Sequence, residues 1–112
     1  MSQDRINCYK IMWVFVFFDL PVTTQKERKT ATSFRYKLLK DGFSMLQFSV
    51  YLRHCASKES ADVHVKRVKS FIPDMGHVSI LFITDKQYGD ILNFCGKKDK
   101  ILKGTPKQLE LF

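Results

Sequence analysis

The residue best placed to do chemistry is Asp19, a single carboxylate at the end of an apolar run. Eight apolar residues, from Ile11 to Phe18, precede it without a break, and Leu20-Pro21 follows it. A carboxylate that abuts a buried strand loses hydration, so its charged form needs a cation, a hydrogen-bond donor or water. Two roles fit: an Asp that only hydrogen-bonds the turn after the strand, or an Asp that serves catalysis. The residues alone slightly favour the first role.

The catalytic role of Asp19 would depend on a metal ion and on a second subunit. One carboxylate is a poor site for Mg²⁺, which prefers oxygen ligands and keeps several waters, but a two-fold axis would bring Asp19 together with its copy. A Mg²⁺ ion held there would lower the pKa of a bound water and offset the charge that builds on a phosphodiester. The prediction is a metal-assisted phosphodiesterase that is completed by dimerisation.

Other common catalytic and binding patterns find little support in the sequence. No Ser, Cys or His lies in an elbow or triad context, and the five glycines form neither GxGxxG nor GxxxxGK. The three cysteines, Cys8, Cys55 and Cys95, are odd in number and widely spaced, which argues against a disulfide framework and a structural zinc site. The first ten residues do not resemble a signal peptide, and the apolar run is too short to cross a membrane. We therefore expect a cytoplasmic protein that does not span a membrane.

The balance of charge favours a polyanionic partner. The chain has 112 residues, with 19 Lys and Arg against 11 Asp and Glu, and a formal net charge of +8. Positive charge of this size attracts nucleic acid, although many small soluble domains are basic without binding it. Hydrophobic residues make up 45% of the chain, which is enough for the core of one folded domain.

A basic helix is predicted directly after the apolar strand. Thr24 and Glu27 have the capping-box spacing of a helix start, and Asp41-Gly42 supplies a stop, so the helix is placed at Gln25 to Lys40. Ala31, Phe34 and Leu38 recur at helical spacing on its buried side.

The other side and the margin of this helix carry six basic residues: Lys26, Arg28, Lys29, Arg35, Lys37 and Lys40. They are candidates to contact nucleic-acid phosphates. The alternative is a solvated face that keeps the protein soluble, and for any single lysine this alternative is the more common.

The remaining elements are predicted from hydrophobic period and turn residues. One strand is placed at Phe43 to Arg53, because apolar residues alternate there with Gln47, Ser49, Tyr51 and Arg53. A second helix is placed at Lys58 to Ile72, with Ala61, Val65, Val68 and Ile72 inward, and a third strand at His77 to Thr84. A short helix capped by Thr84 and Gln87 then ends at Gly96, with Tyr88, Ile91, Leu92 and Cys95 on its buried side.

The C-terminal part contains a lysine-rich segment, residues 97–107, and a candidate terminal strand, Gln108 to Phe112. The lysine-rich segment fits either a flexible linker or an arm that contacts phosphate.

This order of elements predicts an α+β, ferredoxin-like domain (βαββαβ) at residues 11–112, after an extension at residues 1–10. Two helices would cover one face of a mainly antiparallel sheet and leave the other face open. A homodimer with the open faces stacked would bury them, and the Gln108 to Phe112 strand would add to the partner's sheet.

Several segments together resemble one protein family, the CRISPR-associated Cas-two (Cas2) family. They are FDLPV (Phe18 to Val22), the basic first helix, QFSVY (Gln47 to Tyr51), and TDKQYGDILNF (Thr84 to Phe94) followed by the lysine-rich segment and QLELF. The resemblance is strongest to the branch found beside single-effector, type II systems. It spans Met12 to Phe112, whereas residues 1–11 depart from it.

The resemblance implies a ferredoxin-like homodimer with Mg²⁺-dependent endonuclease activity on RNA or double-stranded DNA. It also implies a place in spacer acquisition, in which the dimer bridges two dimers of the Cas-one integrase and helps to hold the incoming DNA duplex. The family's metal-binding Asp maps onto Asp19, and its basic residues after the first strand map onto Arg28 and Lys29.

Three functions remain open at this point. The dimer is a metal-dependent nuclease, or a scaffold that binds DNA without chemistry of its own, or a stand-alone toxin-like ribonuclease of the same fold. The resemblance favours the scaffold as the role in the cell and supports the nuclease as a capability.

Overall fold

The computed structural model describes residues 11–96, which form a four-stranded sheet with three helices. In chain order the elements are β1 (Met12–Asp19), α1 (Gln25–Lys40), β2 (Ser44–Gln47), β3 (Val50–Cys55), α2 (Lys58–Ser70), β4 (His77–Thr84) and α3 (Asp85–Gly89). The strands lie in the order β2-β3-β1-β4, and all neighbours are antiparallel. This is the predicted α+β, ferredoxin-like arrangement βαββαβ, followed by the short helix α3.

Strand β1 is the central element of the fold, because β3 and β4 pair with its two edges. Its side chains alternate between two clusters. Toward helices α1 and α2 lie Val14, Val16 and Phe18. On the opposite face, Trp13 and Phe15 pack with Leu46 and Leu52. The continuous apolar run therefore marks a strand that is covered on both faces over most of its length, as predicted.

The prediction of one strand from Phe43 to Arg53 is wrong, because this segment is a hairpin. Strands β2 and β3 are joined by a two-residue turn, Phe48-Ser49, in which Ser49 has φ 69° and Gln47 pairs with Val50. The alternating pattern continues across the turn, and the turn has none of the usual Gly, Asn or Asp signals, so the sequence does not mark it. The predicted polar face is also wrong at Tyr51, which is buried on the helix side.

Helix α1 has the predicted bounds and the predicted buried residues, Ala31, Phe34 and Leu38. The Thr24 hydroxyl accepts a hydrogen bond from the Glu27 amide at 3.1 Å, and the Glu27 carboxylate accepts one from the Thr24 amide at 2.9 Å. This reciprocal pair is the predicted capping box.

Helix α2 begins at Lys58 as predicted but ends at Ser70, earlier than the predicted Ile72. Ala61 and Val68 are buried, whereas Ile72 is exposed. The reason is Pro73, since a proline disfavours helical backbone at the residue before it. His64 is an additional buried residue that the apolar pattern did not include.

Helix α3 has the predicted capping box, with Thr84 and Gln87, but it ends at Gly89 rather than at Gly96. Tyr88 and Ile91 pack beside Trp13 on the face of the sheet opposite α1 and α2. Leu92 and Cys95, which were predicted to be buried, are exposed, because the chain has left the helix before it reaches them. Helix α3 therefore covers one part of this second face and leaves the rest of it open.

The predictions for the extension (1–10), the lysine-rich segment (97–107) and the terminal strand (Gln108 to Phe112) lie outside the described residues. None of the helices between residues 11 and 96 has the length and hydrophobicity needed to cross a membrane.

Candidate active site at the end of the first strand

Asp19 is the last residue of β1, and its side chain is exposed to solvent. Alternation along the strand places it on the same face as Trp13 and Phe15, the face opposite α1 and α2. Across the ladder it is paired with His77, the first residue of β4. At the end of the sheet where β1 stops, the open face thus carries the Asp19 carboxylate next to the His77 imidazole.

The Asp19 carboxylate forms no hydrogen bond or ion pair with any residue between 11 and 96. The sequence predicted a carboxylate that lacks hydration and needs a compensating partner. In the structure the side chain is exposed to solvent at the strand end, so the carboxylate keeps its hydration and needs no compensating partner from the protein. The carboxylate also does not bond the turn that follows it, so both of its oxygens are available to a ligand.

Gly76 holds the backbone of Asp19 in place from the neighbouring turn. Its φ is +90°, and a Cβ atom at this position would lie 2.7 Å from the carbonyl oxygen of Asp19 and 2.8 Å from Cδ2 of Leu20. Only glycine fits both this conformation and this approach. The sequence shows a turn at Asp74-Met75-Gly76, but nothing in it indicates that the turn packs against Asp19.

The loop after Asp19 is fixed by Arg28, which is one of the predicted nucleic-acid contacts. Its Nη1 donates to the carbonyl oxygens of Val22 at 3.1 Å and Thr23 at 2.9 Å. Two hydrogen bonds from the Arg28 guanidinium therefore stabilise the connection between β1 and α1.

The four predicted lysines of α1 are exposed, and none forms an ion pair within the described residues: Lys26, Lys29, Lys37 and Lys40. The first three line a shallow cavity of about 390 Å³ together with Phe71 and Pro73. Lys37 lies over the Phe71 ring at 5.9 Å and Lys40 over the Tyr36 ring at 5.7 Å. Exposed ammonium groups without an ion-pair partner are suited to contacts with phosphates. None of the six predicted basic residues is ion-paired with Asp19 in this part of the chain.

Arg35 differs from the other five predicted basic residues because it is half-buried. Its guanidinium carbon lies 4.6 Å from the centre of the Phe48 ring and 5.6 Å from that of Phe18, and Nε is buried without a hydrogen-bond partner among the described residues. The side chain thus turns toward the sheet end instead of projecting into solvent.

Tyr51, buried on the helix side, and Tyr88, half-buried on the opposite face, are poor candidates for proton transfer. Burial raises the pKa of the Tyr51 phenol above 10.0, although the positive charge of Arg35 opposes the change. Burial also raises the pKa of Tyr88, and the negative charge of Asp85 adds to it. Both hydroxyls stay neutral near pH 7 and therefore offer no negative charge to a cation. The exposed Asp19 carboxylate is the better candidate to bind one.

The described residues contain no group of three or more His, Cys, Asp or Glu side chains that would hold a metal ion. Asp19 alone offers one carboxylate to Mg²⁺, which is commonly bound through one or two carboxylates while it keeps several waters. The donor chemistry of Asp19 therefore fits magnesium, but one chain supplies only part of a site.

Comparison with known proteins gives a consistent family match. The model of the family described as "CRISPR associated protein Cas2" matches residues 12–91. A protein of Flavobacterium psychrophilum, named CRISPR-associated endoribonuclease Cas2, is 53% identical over 108 residues, which are 96% of this chain and 94% of that protein.

Two further proteins with the same name are similar over nearly their whole length. The one from Parvibaculum lavamentivorans is 52% identical over 101 residues, covering 90% of this chain and 100% of that protein. The one from Paracidovorax avenae is 46% identical over 104 residues, covering 93% of this chain and 96% of that protein.

Proposed function

This chain belongs to the family of CRISPR-associated Cas2 proteins, and from that membership we propose that it is a metal-dependent endonuclease of CRISPR adaptation. Its substrates are single-stranded RNA or double-stranded DNA, its cofactor is Mg²⁺, and Asp19 is the residue that binds the metal. The observation that carries the proposal is the exposed Asp19 carboxylate, which has no partner among residues 11–96 and lies at the end of the central strand.

A homodimer would complete the metal site. The open part of the sheet exposes Phe17 at 37% and Leu81 at 48%, and exposed apolar side chains of this size favour burial against another surface. Stacking this face on its copy about a two-fold axis would bury both side chains and bring the two Asp19 carboxylates toward each other.

Magnesium bound by the paired Asp19 side chains would polarise the phosphodiester and supply a hydroxide nucleophile near neutral pH. The contribution of the protein is to hold the carboxylates in place. Gly76 and the β1–β4 ladder fix the backbone of Asp19, and Arg28 fixes the loop that follows it. Without a metal the two carboxylates would repel each other and the substrate.

The exposed lysines of α1 support a second part of the proposal, which is binding of duplex DNA during spacer acquisition. Contacts from lysine to phosphate are independent of sequence and supply most of non-specific affinity. In this role the dimer bridges two dimers of the CRISPR-associated integrase while the lysines hold the duplex between them. Binding and cleavage use different residues, so they can be tested separately.

The test of the nuclease compares cleavage of single-stranded RNA and duplex DNA by the wild type with Mg²⁺ or EDTA, beside Asp19→Asn. This substitution keeps the size of the side chain and removes its charge. We expect cleavage only by the wild type with Mg²⁺, and the same dimer mass for both proteins. Asp62→Asn is the matched control, because Asp62 is an exposed carboxylate on α2.

Cleavage by Asp19→Asn at the wild-type rate would overturn the metal role. Binding of duplex DNA by the wild type, without cleavage of either substrate, would leave only the scaffold function. Loss of the dimer in Asp19→Asn would show that the carboxylate is structural.

A further inference from the structure

The turn between β2 and β3 carries an aromatic ring that no part of the proposed function uses. Phe48 is 75% exposed, the largest exposed fraction among the large hydrophobic side chains of residues 11–96. An exposed Phe at the tip of a hairpin adds nothing to the core. Its exposed ring is available to a ligand.

The Phe48 ring is supported from below by Arg35. The guanidinium carbon of Arg35 lies over the ring, 4.6 Å from its centre. Holding Arg35 in this place leaves its Nε buried without a hydrogen-bond partner among the described residues, which is an unfavourable arrangement for a polar group. Cation–π attraction to Phe48 and Phe18 offsets part of this cost.

Backbone contacts hold the turn that carries the ring. The Phe18 amide donates to the Ser49 carbonyl oxygen at 3.1 Å, and Ser49 has a positive φ of 69°. Residues on both sides of the turn are paired in the ladder, Gln47 with Val50. The Arg35 guanidinium lies over the ring, and most of the Phe48 side chain remains exposed to solvent.

The ring also lies at the end of the sheet that carries Asp19. The hydrogen bond between Phe18 and Ser49 joins the residue before Asp19 to the residue after Phe48. Because Phe48 contacts Arg35 of α1, it lies toward the helix side, whereas the open face with Asp19, Phe17 and Leu81 lies on the other side of the sheet. A dimer formed through the open face would leave Phe48 accessible.

We propose that Phe48, backed by Arg35, is a stacking platform for an unpaired nucleobase of a single-stranded nucleic acid that passes around the end of the sheet at which Asp19 lies. Aromatic side chains combined with a positively charged surface are the usual means of binding single strands, since every base has a π-face. In a duplex the base faces are already stacked on each other, so the platform selects single strands. This proposal rests on the proposed nucleic-acid function and names the form of substrate that the site prefers.

The test measures affinity for three probes of equal length: a single-stranded RNA, a single strand without bases, and a duplex DNA. Phe48→Ala should weaken binding of the single-stranded RNA by about 5- to 150-fold, the usual range for removal of one stacked base. Binding of the other two probes should not change. Leu92→Ala is the matched control, because Leu92 is 72% exposed and far along the chain from the turn.

A second variant, Phe48→Trp, tests for direct stacking by fluorescence. Its emission should be quenched by the single-stranded RNA and not by the strand without bases. The native Trp13 is buried, donates to Asp85 at 2.8 Å and stacks on Tyr88, so it provides a constant background.

Equal affinity of Phe48→Ala and wild type for the single-stranded RNA would overturn the platform, while cleavage that still needs Asp19 would leave the proposed function intact. A second contrary result is that Phe48→Ala binds all three probes more weakly by the same factor and has a lower mass than the wild type by light scattering. That result would place Phe48 in a contact between two copies of the chain and would also overturn the platform. If the wild type binds none of the probes, the proposed function fails and the platform fails with it.

Discussion

The Nδ1 atom of His64 lies 2.8 Å from Oδ2 of Asp41, so a buried histidine of α2 is joined to the capping residue directly after α1. The second carboxylate oxygen of Asp41 accepts from Nη1 of Arg67 at 2.9 Å. Arg53 of β3 approaches the same His64 nitrogen with its Nε at 3.3 Å. Asp41 thus joins the two helices, and the sheet reaches the same group of residues through Arg53 beside His64.

The short distance between His64 and Asp41 determines which ring nitrogen of His64 carries a proton. Nδ1 cannot both donate to Asp41 and accept from Arg53, and an unprotonated Nδ1 would face a carboxylate oxygen at 2.8 Å. Nδ1 therefore carries the hydrogen and donates to Asp41. The approach of Arg53 is a charge interaction with this group of residues and not a hydrogen bond to the ring.

We predict that Asp41→Asn lowers the free energy of unfolding by about 1–3 kcal/mol near neutral pH, because it weakens two charge-assisted hydrogen bonds. Burial alone would raise the pKa of Asp41, but the hydrogen bonds and charges of His64 and Arg67 outweigh it and hold the pKa below 3.8. A carboxyl group whose pKa is lowered on folding stabilises the protein above its unfolded pKa. The stabilisation by Asp41 is thus complete above about pH 5 and disappears as the pH falls through the folded pKa.

Urea unfolding of both proteins across the acid range checks this prediction. The difference between wild type and Asp41→Asn should be constant near neutral pH and should shrink below about pH 4. Asp62→Asn, at an exposed position of α2, should show little difference at any pH. A difference for Asp41→Asn that does not change with pH would contradict the role given to its charge.

Gly76→Ala should destabilise the protein by more than about 1 kcal/mol and reduce Asp19-dependent cleavage further than the decrease in stability explains. The added Cβ would lie 2.7 Å from the Asp19 carbonyl oxygen, and the φ of +90° is strained for alanine. Strand β1 or the turn must then shift at the position of Asp19.

Thermal unfolding and cleavage by the folded fraction measure the two effects of Gly76→Ala separately. Gly89→Ala is the control, because a Cβ at Gly89 would meet nothing within 4 Å and its φ is not in the left-handed region. Unchanged cleavage by folded Gly76→Ala would show that the position of Asp19 does not depend on this packing.

Neutralising the lysines along the cavity beside α1 should weaken binding of duplex DNA and flatten its dependence on salt. Removing one interaction between a lysine and a phosphate reduces the slope of log K against log salt by about 0.9. The variant replaces with Gln three lysines that line one surface: Lys26, Lys29 and Lys37. Its control replaces three exposed lysines of α2 and removes the same net charge: Lys58, Lys66 and Lys69.

Filter-binding or anisotropy titrations of duplex DNA at several salt concentrations compare the two triple variants. A smaller slope for the α1 variant alone would identify the binding surface. Equal slopes for both variants would mean that net charge, rather than this surface, attracts the duplex.

The sequence predicts an element well when its bounds depend on residues that are close together in the chain. The bounds of α1 and β4 were predicted correctly, because a capping box, an Asp-Gly stop and a continuous apolar run act within a few residues of each other. The α+β, ferredoxin-like plan followed from the order of these elements. The family resemblance carried by FDLPV and QFSVY was confirmed by the comparisons.

The features that the sequence did not predict depend on contacts between residues that are far apart in the chain. The hairpin turn at Phe48-Ser49 is stabilised by a bond from Phe18, and the approach of Gly76 to Asp19 spans more than fifty residues. Short-range patterns cannot report such pairs. The sequence by itself determined that Asp19 ends a buried strand in a basic, ferredoxin-like domain. Only the tertiary structure showed that its carboxylate is exposed, because exposure depends on what packs around the strand end and not on the residues that precede it.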